Sequence, residues 1–188
     1  MGRLLSQDRR LLVKMRIALA GVVLCLNVIL AYGAEKMPEL KTVEYVDVQR
    51  YMGTWYEIAK FPVWFEKGLV GVTANYTLLH SGKVRVINSG YKKDFKGKLK
   101  TAKGRAWIVD KKTNAKLKVS FFWPFAGNYW IIELGKDYEY AVVGDPSRKY
   151  LWILSRKPQL EESLYNELLR RIQEKGFDRS KIEKTVQK

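Results

Sequence analysis

Gly53-Thr54-Trp55-Tyr56-Glu57-Ile58 begins one apolar segment of this chain, and Leu151-Trp152-Ile153-Leu154-Ser155-Arg156 closes another about a hundred residues later. A glycine frees the backbone where a strand starts, and a Trp two residues on is large enough to plug the floor of a barrel. A guanidinium from a distant Arg stacks favourably on such an indole. Gly53, Trp55 and Arg156 are therefore expected to form a structural closure that ties a first strand to a last.

Between these ends the chain alternates apolar and polar residues in short runs separated by turn residues, the pattern of antiparallel strands. The spacing predicts strands near 53–61, 70–79, 83–91, 97–109, 115–122, 128–134, 139–144 and 150–156. Ser81-Gly82 and Asp145-Pro146 mark two of the connections. The fold class is all-β, an eight-stranded antiparallel up-and-down barrel whose interior suits one small ligand. After Pro158 the period changes: Leu160, Leu164, Leu168 and Ile172 recur four apart, and Gly176 offers a helix stop. That single apolar stripe predicts a C-terminal α-helix packed on the outside of the barrel, with a structural role; partner binding is the alternative for it.

The G-x-W element with an Arg after the last strand resembles the lipocalin signature. Phe61 to Gly68, Ala74-Asn75-Tyr76-Thr77-Leu78, Leu117 to Phe122, Tyr140 to Asp145 and Tyr150 to Arg156 also look like segments of that family, in its order. The resemblance is closest to bacterial lipocalins related to apolipoprotein D and runs from about Val46 to Phe177. It implies binding, storage or transport of a small hydrophobic ligand, such as a fatty acid or lysophospholipid, without a cofactor. It also implies ligand-binding positions at Tyr76, Asn88, Phe121, Tyr129 and Trp152, for each of which core packing is the competing role. An acyl chain with ten buried methylenes gains roughly 8 kcal/mol, which corresponds to about micromolar binding before costs.

Arg9, Arg10, Lys14 and Arg16 precede an apolar run from Ile17 to Leu30, followed by Ala31-Tyr32-Gly33. These features predict a cleaved secretory signal peptide over residues 1–33 and a lipocalin domain over 34–188. The apolar run is shorter than the ~20 residues of a spanning helix. Cys25 lies between Leu24 and Leu26, so the small residue that a lipobox places before its cysteine is absent. The expected location is periplasmic or secreted, with association to the cell outer membrane left open. Without Cys25 the domain has no cysteine, and its stability must come from its core.

Removing the five basic residues and Asp8 of the leader from totals of 35 and 19 leaves 30 basic and 18 acidic residues, a net charge of +12. Such a balance attracts polyanions. Export and the absence of nucleic-acid-binding patterns exclude nucleic acid and leave an anionic membrane surface as partner, against a merely solubilising role. Strand direction places loops 62–69, 91–97, 122–127 and 145–149 at the open rim. They carry Trp64, Phe65, Phe95, Trp123 and Phe125 with Lys67, Lys92, Lys93, Lys96, Arg148 and Lys149. Aromatic and basic side chains suit a lipid interface; folding inward over the cup, or a contact between copies, competes with docking, and the chain is a monomer or a homodimer. The alternative function is therefore a membrane-surface interaction protein with a basic aromatic rim and a barrel that binds nothing.

Enzyme chemistry finds no footing. His80 is the single histidine, no metal-ligand spacing is present, and no catalytic residue is assigned. Glu57, expected inside the barrel, would have a raised pKa, with a bond to Tyr or Arg as the ordinary explanation. Asn75-Tyr76-Thr77 is a sequon, expected bare and outward-facing.

Overall fold

Asp47 starts the barrel by accepting the Gln49 and Arg50 amide hydrogens at 2.9 and 3.2 Å, which caps a one-turn helix, α1 (Val48–Tyr51). The computed structural model describes residues 37–188, so the expected signal peptide, its cleavage site and Cys25 lie outside the described residues. From α1 the chain runs through β1 (Gly53–Lys60), β2 (Leu69–Leu78), β3 (Val84–Lys92), β4 (Leu99–Ile108), β5 (Lys116–Phe122), β6 (Phe125–Leu134), β7 (Tyr140–Gly144) and β8 (Leu151–Ser155). Each strand pairs antiparallel with the next, and β1 pairs with both β8 and β2, which closes the expected eight-stranded barrel.

Two elements differ from expectation. β6 begins at Phe125 rather than 128, because Phe125 pairs with Phe122 across a Trp123-Pro124 turn and little of loop 122–127 remains. A ninth strand, β9 (Glu183–Lys184), follows the helix and pairs with Ala59 and Lys60 of β1. Two charged residues carry no alternation, so periodicity could not reveal it.

β9 matters because β1 and β2 part company. Their register runs from Gly53↔Tyr76 to Tyr56↔Thr73 and stops there. Residues 183–187 fill the seam: Thr185 N–H donates to Ile58 O at 2.9 Å and Gly71 N–H to Val186 O at 2.8 Å. The Gln187 amide donates to Glu57 O and Val72 O at 2.8 and 2.9 Å, bridging the two strands.

The apolar residues form two layers. Trp55, Val84, Val86, Leu117, Ile131, Val143 and Leu154 pack inside the barrel. Ile58, Phe61, Ile132, Val142, Leu151 and Ile153 pack outside it, beneath Tyr165, Leu168 and Ile172 of the expected helix, α2 (Glu162–Glu174). Glu133 on β6 holds α2 through Lys175 at 3.0 Å and Arg171 at 3.4 Å. Gly176 ends α2 at φ +85°, and Phe177 N–H returns to Ile172 O at 3.2 Å. No described helix is long and apolar enough to cross a membrane.

A bulge between Glu57 and Ala59 interrupts the alternation of β1. Trp55 joins the inner layer, but Ala59 packs with Ile58 in the outer one. Lys60, opposite Trp152 in the register, turns to the same side as Glu57.

Candidate functional site

The floor is assembled from both ends of the barrel sequence. Trp55 is fully buried, and its indole N–H donates to Tyr51 O at 2.9 Å. The Arg156 guanidinium carbon stands 3.8 Å from the Trp55 ring centroid. The same group donates to Thr54 O at 2.9 Å and Arg50 O at 2.7 Å, pinning α1 and β1 together.

Above Trp55, three phenols share one hydrogen-bond chain. Tyr129 OH is 2.8 Å from Tyr51 OH and 3.0 Å from Tyr76 OH. Burial pushes all three phenols up, Tyr76 to about 12. A cavity of about 30 Å³ remains between Tyr51, Tyr76, Leu117 and Tyr129, space for about one water. Tyr76 and Tyr129 thus face inward as expected but engage each other through their hydroxyls. Tyr51, which joins them from α1, escaped sequence reasoning because a single helical turn carries no periodic signal.

The other candidates lie on β3, β5 and β8. Asn88 lies on β3 opposite Ala74 and Ala102, and its Oδ1 is buried without a hydrogen-bond partner among the described residues. Phe121 of β5 crosses the interior where β4 has Gly104, since a Cβ there would come 2.8 Å from the ring. Trp152 of β8 packs on the inner layer beside Leu154.

Next to Trp152 sits a buried polar cluster. Glu57 accepts from Lys60 Nζ at 3.1 Å and from the Thr185 hydroxyl, rather than from the expected Tyr or Arg. Glu66, on a single 3-10 turn (Trp64–Glu66), is 7% exposed and accepts from Trp152 Nε1 at 3.5 Å. Burial first, and then the Glu57 charge, raises the Glu66 carboxyl to about 8, so it holds its proton at neutral pH. A cleft of about 450 Å³ opens beside it, lined by Lys60, Val63, Trp64, Lys67, Leu69 and Thr185 among others. Glu66 was passed over because its loop reads as exposed rim.

At the rim, Trp64, Trp123 and Phe125 are 86%, 85% and 77% exposed and Phe65 is half exposed, with Phe122 beside them. They point outward rather than over the cup. Phe95 does not join them: it leans on Tyr91 at 6.2 Å between centroids, with the Lys188 ammonium 5.0 Å from its ring. Arg148 also leaves the rim set, donating to Lys175 O at the end of α2 at 2.8 Å. Lys67, Lys92, Lys93, Lys96 and Lys149 are exposed. His80 is exposed at its turn, and no three His, Cys, Asp or Glu residues converge on a metal position among the described residues. Asn75 faces away from the interior, its amide donating to Thr54 Oγ1 at 2.9 Å.

Comparison with known proteins places this architecture. A lipocalin-like domain model matches residues 46–187. Outer membrane lipoprotein Blc of Escherichia coli K12 is 47% identical over 136 residues, 72% of this chain and 76% of that protein. Apolipoprotein D of Rattus norvegicus is 41% identical over 135 residues, 66% of this chain and 68% of that protein. Among solved structures, insecticyanin from the tobacco hornworm Manduca sexta superposes with a TM-score of 0.62 at 24% identity, over 80% of this chain and 86% of that one, a likeness of fold. The chain belongs to the lipocalin family.

Proposed function

We propose that this lipocalin carries one single-chain lipid, a fatty acid or a lysophospholipid, with its acyl chain in the upper barrel against Phe121 and Trp152. Tyr76 and Tyr129 form the base on which the chain ends. The observation that carries this reading is Asn88 Oδ1, a polar atom buried in an apolar wall with no partner among the described residues. Such an atom costs about 1–3 kcal/mol unless something brings it a donor. A bound ligand does so.

The exposed rim favours a second reading, either alongside the first or in its place. Trp64, Phe65, Trp123 and Phe125, surrounded by exposed lysines, suit docking on an anionic membrane surface, at about 1 kcal/mol per basic residue near it. If the barrel is filled by its own side chains, surface interaction is the whole function. The leader-like N-terminus supports export to a bacterial envelope, and relatives named as outer membrane lipoproteins support the same reading. The lipobox departure at Cys25 favours a periplasmic or secreted form over a lipid-anchored one.

Tryptophan fluorescence of the delipidated protein, titrated with lysophospholipid and with fatty acid, separates these readings. Saturable quenching at one ligand per barrel, lost in Trp152→Phe, supports the carrier. No response to either ligand leaves the rim as the working part, and vesicle flotation with Trp64→Ser and Trp123→Ser then decides it.

A further inference from the structure

The outer wall of the barrel carries its charge unevenly. β2, β3, β4 and β5 hold no Asp or Glu, whereas β3 to β5 hold Arg85, Lys103, Arg105, Lys116 and Lys118. Val84, Val86, Ala106 and Leu117 pack inside, so alternation sets these five cations on the outer face. Arg85 stands directly opposite Arg105 in the register, and Lys103 opposite Ile87. Like charges directly opposite one another weaken a sheet. Sequences break such local rules chiefly at working surfaces. Elsewhere carboxylates meet cations, as Glu57 does Lys60, Glu133 does Lys175 and Glu162 does Lys184. Of the wall cations, Lys116 alone forms an ion pair among the described residues, with Glu39 at 3.7 Å, and Glu39 is itself exposed.

Two features choose the occupant of this wall. Neither the interior cavity nor the cleft beside β9 is lined by Arg85, Lys103, Arg105 or Lys118. Cations spread over three strands, each about 4.8 Å from the next, suit a surface with many fixed negative charges rather than one small anion. At the end of β5 the wall runs into Phe122, Trp123 and Phe125, all largely exposed. A bilayer takes both sets of side chains, cations at its headgroups and aromatic rings at its interface. A soluble polyanion uses only the first, and a second copy of the chain would set like charge against like.

We propose that the outer face of β3–β5, with the Phe122–Phe125 turn at its end, is the surface that lies against an anionic bilayer. The assignment rests on the membrane-surface reading above and changes its geometry. The barrel rests on its side with the β5–β6 turn in the interface. Trp64 and Lys67 in the β1–β2 loop and Lys149 in the β7–β8 loop stay clear of it, because their strands belong to the other part of the barrel wall.

Vesicle flotation of the delipidated protein tests the face, in low and in high salt, with mixed phosphatidylcholine and phosphatidylglycerol and with phosphatidylcholine alone. Lys103→Gln with Arg105→Gln is compared with a pair of equal charge change at the mouth, Lys67→Gln with Lys149→Gln. The expected result is salt-sensitive flotation with the anionic vesicles only, weakened about thirtyfold by the wall pair and less than about threefold by the mouth pair. Arg85→Gln with Lys118→Gln, on the same face, repeats the loss, and Trp123→Ser weakens flotation where Trp64→Ser does not. The denaturant midpoint of the first wall pair stays level or rises, since a like-charge contact has gone, which separates lost docking from lost folding. An equal or greater loss for the mouth pair or for Trp64→Ser overturns the side-on face and leaves the membrane-surface reading standing. Equal flotation with neutral vesicles overturns the role of the cations. Retention on heparin without flotation overturns the bilayer as occupant in favour of a soluble polyanion. Neither flotation nor retention overturns both the face and the membrane-surface reading.

Discussion

Gly53 and Arg156 are fitted to one another across the barrel closure. Gly53 adopts φ +95°, and a Cβ built on it would stand 3.3 Å from Arg156 Nη1. Gly53→Ala is therefore expected to cost about 1–2 kcal/mol from the backbone alone, with any shift of the guanidinium off Trp55 in addition. Arg156→Ala removes the stacked cation and the donors to Thr54 O and Arg50 O, and should cost more, about 2–4 kcal/mol. Denaturant midpoints at constant m-value measure both. A change under about 0.5 kcal/mol for Arg156→Ala, the range of ordinary surface substitutions, would deny the closure its structural role.

Tyr129→Phe removes the hydroxyl that serves both Tyr51 and Tyr76, leaving two buried phenols short of a partner. The expected loss is about 1–3 kcal/mol, and more than for Tyr51→Phe, which breaks one bond. The phenols also set an alkaline limit. Unfolded tyrosines ionise near 10, whereas Tyr51, Tyr76 and Tyr129 keep their protons higher in the folded state. The folded chain then binds more protons, so stability falls as pH rises through about 10. Ultraviolet titration should show these phenols ionising only as the protein unfolds.

Glu66 gives the opposite end of the pH range a slope. Its carboxyl is raised from 4.5 to about 8, so between those values the folded state keeps a proton that the unfolded chain has lost. Stability should fall as pH climbs from about 4.5 to 8, reach its full penalty above 8, and lose this slope in Glu66→Gln. A variant with the same pH profile as the unaltered protein would place the slope elsewhere.

Truncation before Glu183 opens the seam between β1 and β2. Gly71 N–H loses its acceptor on Val186, and the Glu57 carboxyl loses the Thr185 hydroxyl. Amide exchange at Gly71 should accelerate while the distant β5–β6 ladder stays protected. Unchanged exchange at Gly71 would show that β1 and β2 close the seam by themselves.

Much of this molecule was legible where a repeated pattern met a special residue. Eight strands followed from alternation, α2 from the four-residue spacing of Leu160 to Ile172, and the meeting of Trp55 with Arg156 from their chemistry. What escaped was local and aperiodic. One bulge at Ile58 put Glu57 and Lys60 on the same side, although three residues apart in a regular strand would have set them on opposite faces. Glu66 lay in a loop whose neighbours are exposed, and only the tertiary fold buries it. β9 and α1 are too short to print a period, yet they supply Thr185 to the polar cluster and Tyr51 to the floor.

The filling of that seam has a consequence for the order of assembly. Glu57 is among the first barrel residues to leave the ribosome, and its side-chain partner Thr185 comes 128 residues behind it. During synthesis β1 has no completed edge on either side until the segments bearing Ser155 and Thr185 have been made. Such distant pairing makes folding slow and leaves the growing chain without a finished wall. For a chain exported as proposed above, that delay is an asset: the barrel cannot close before its last stave has been made.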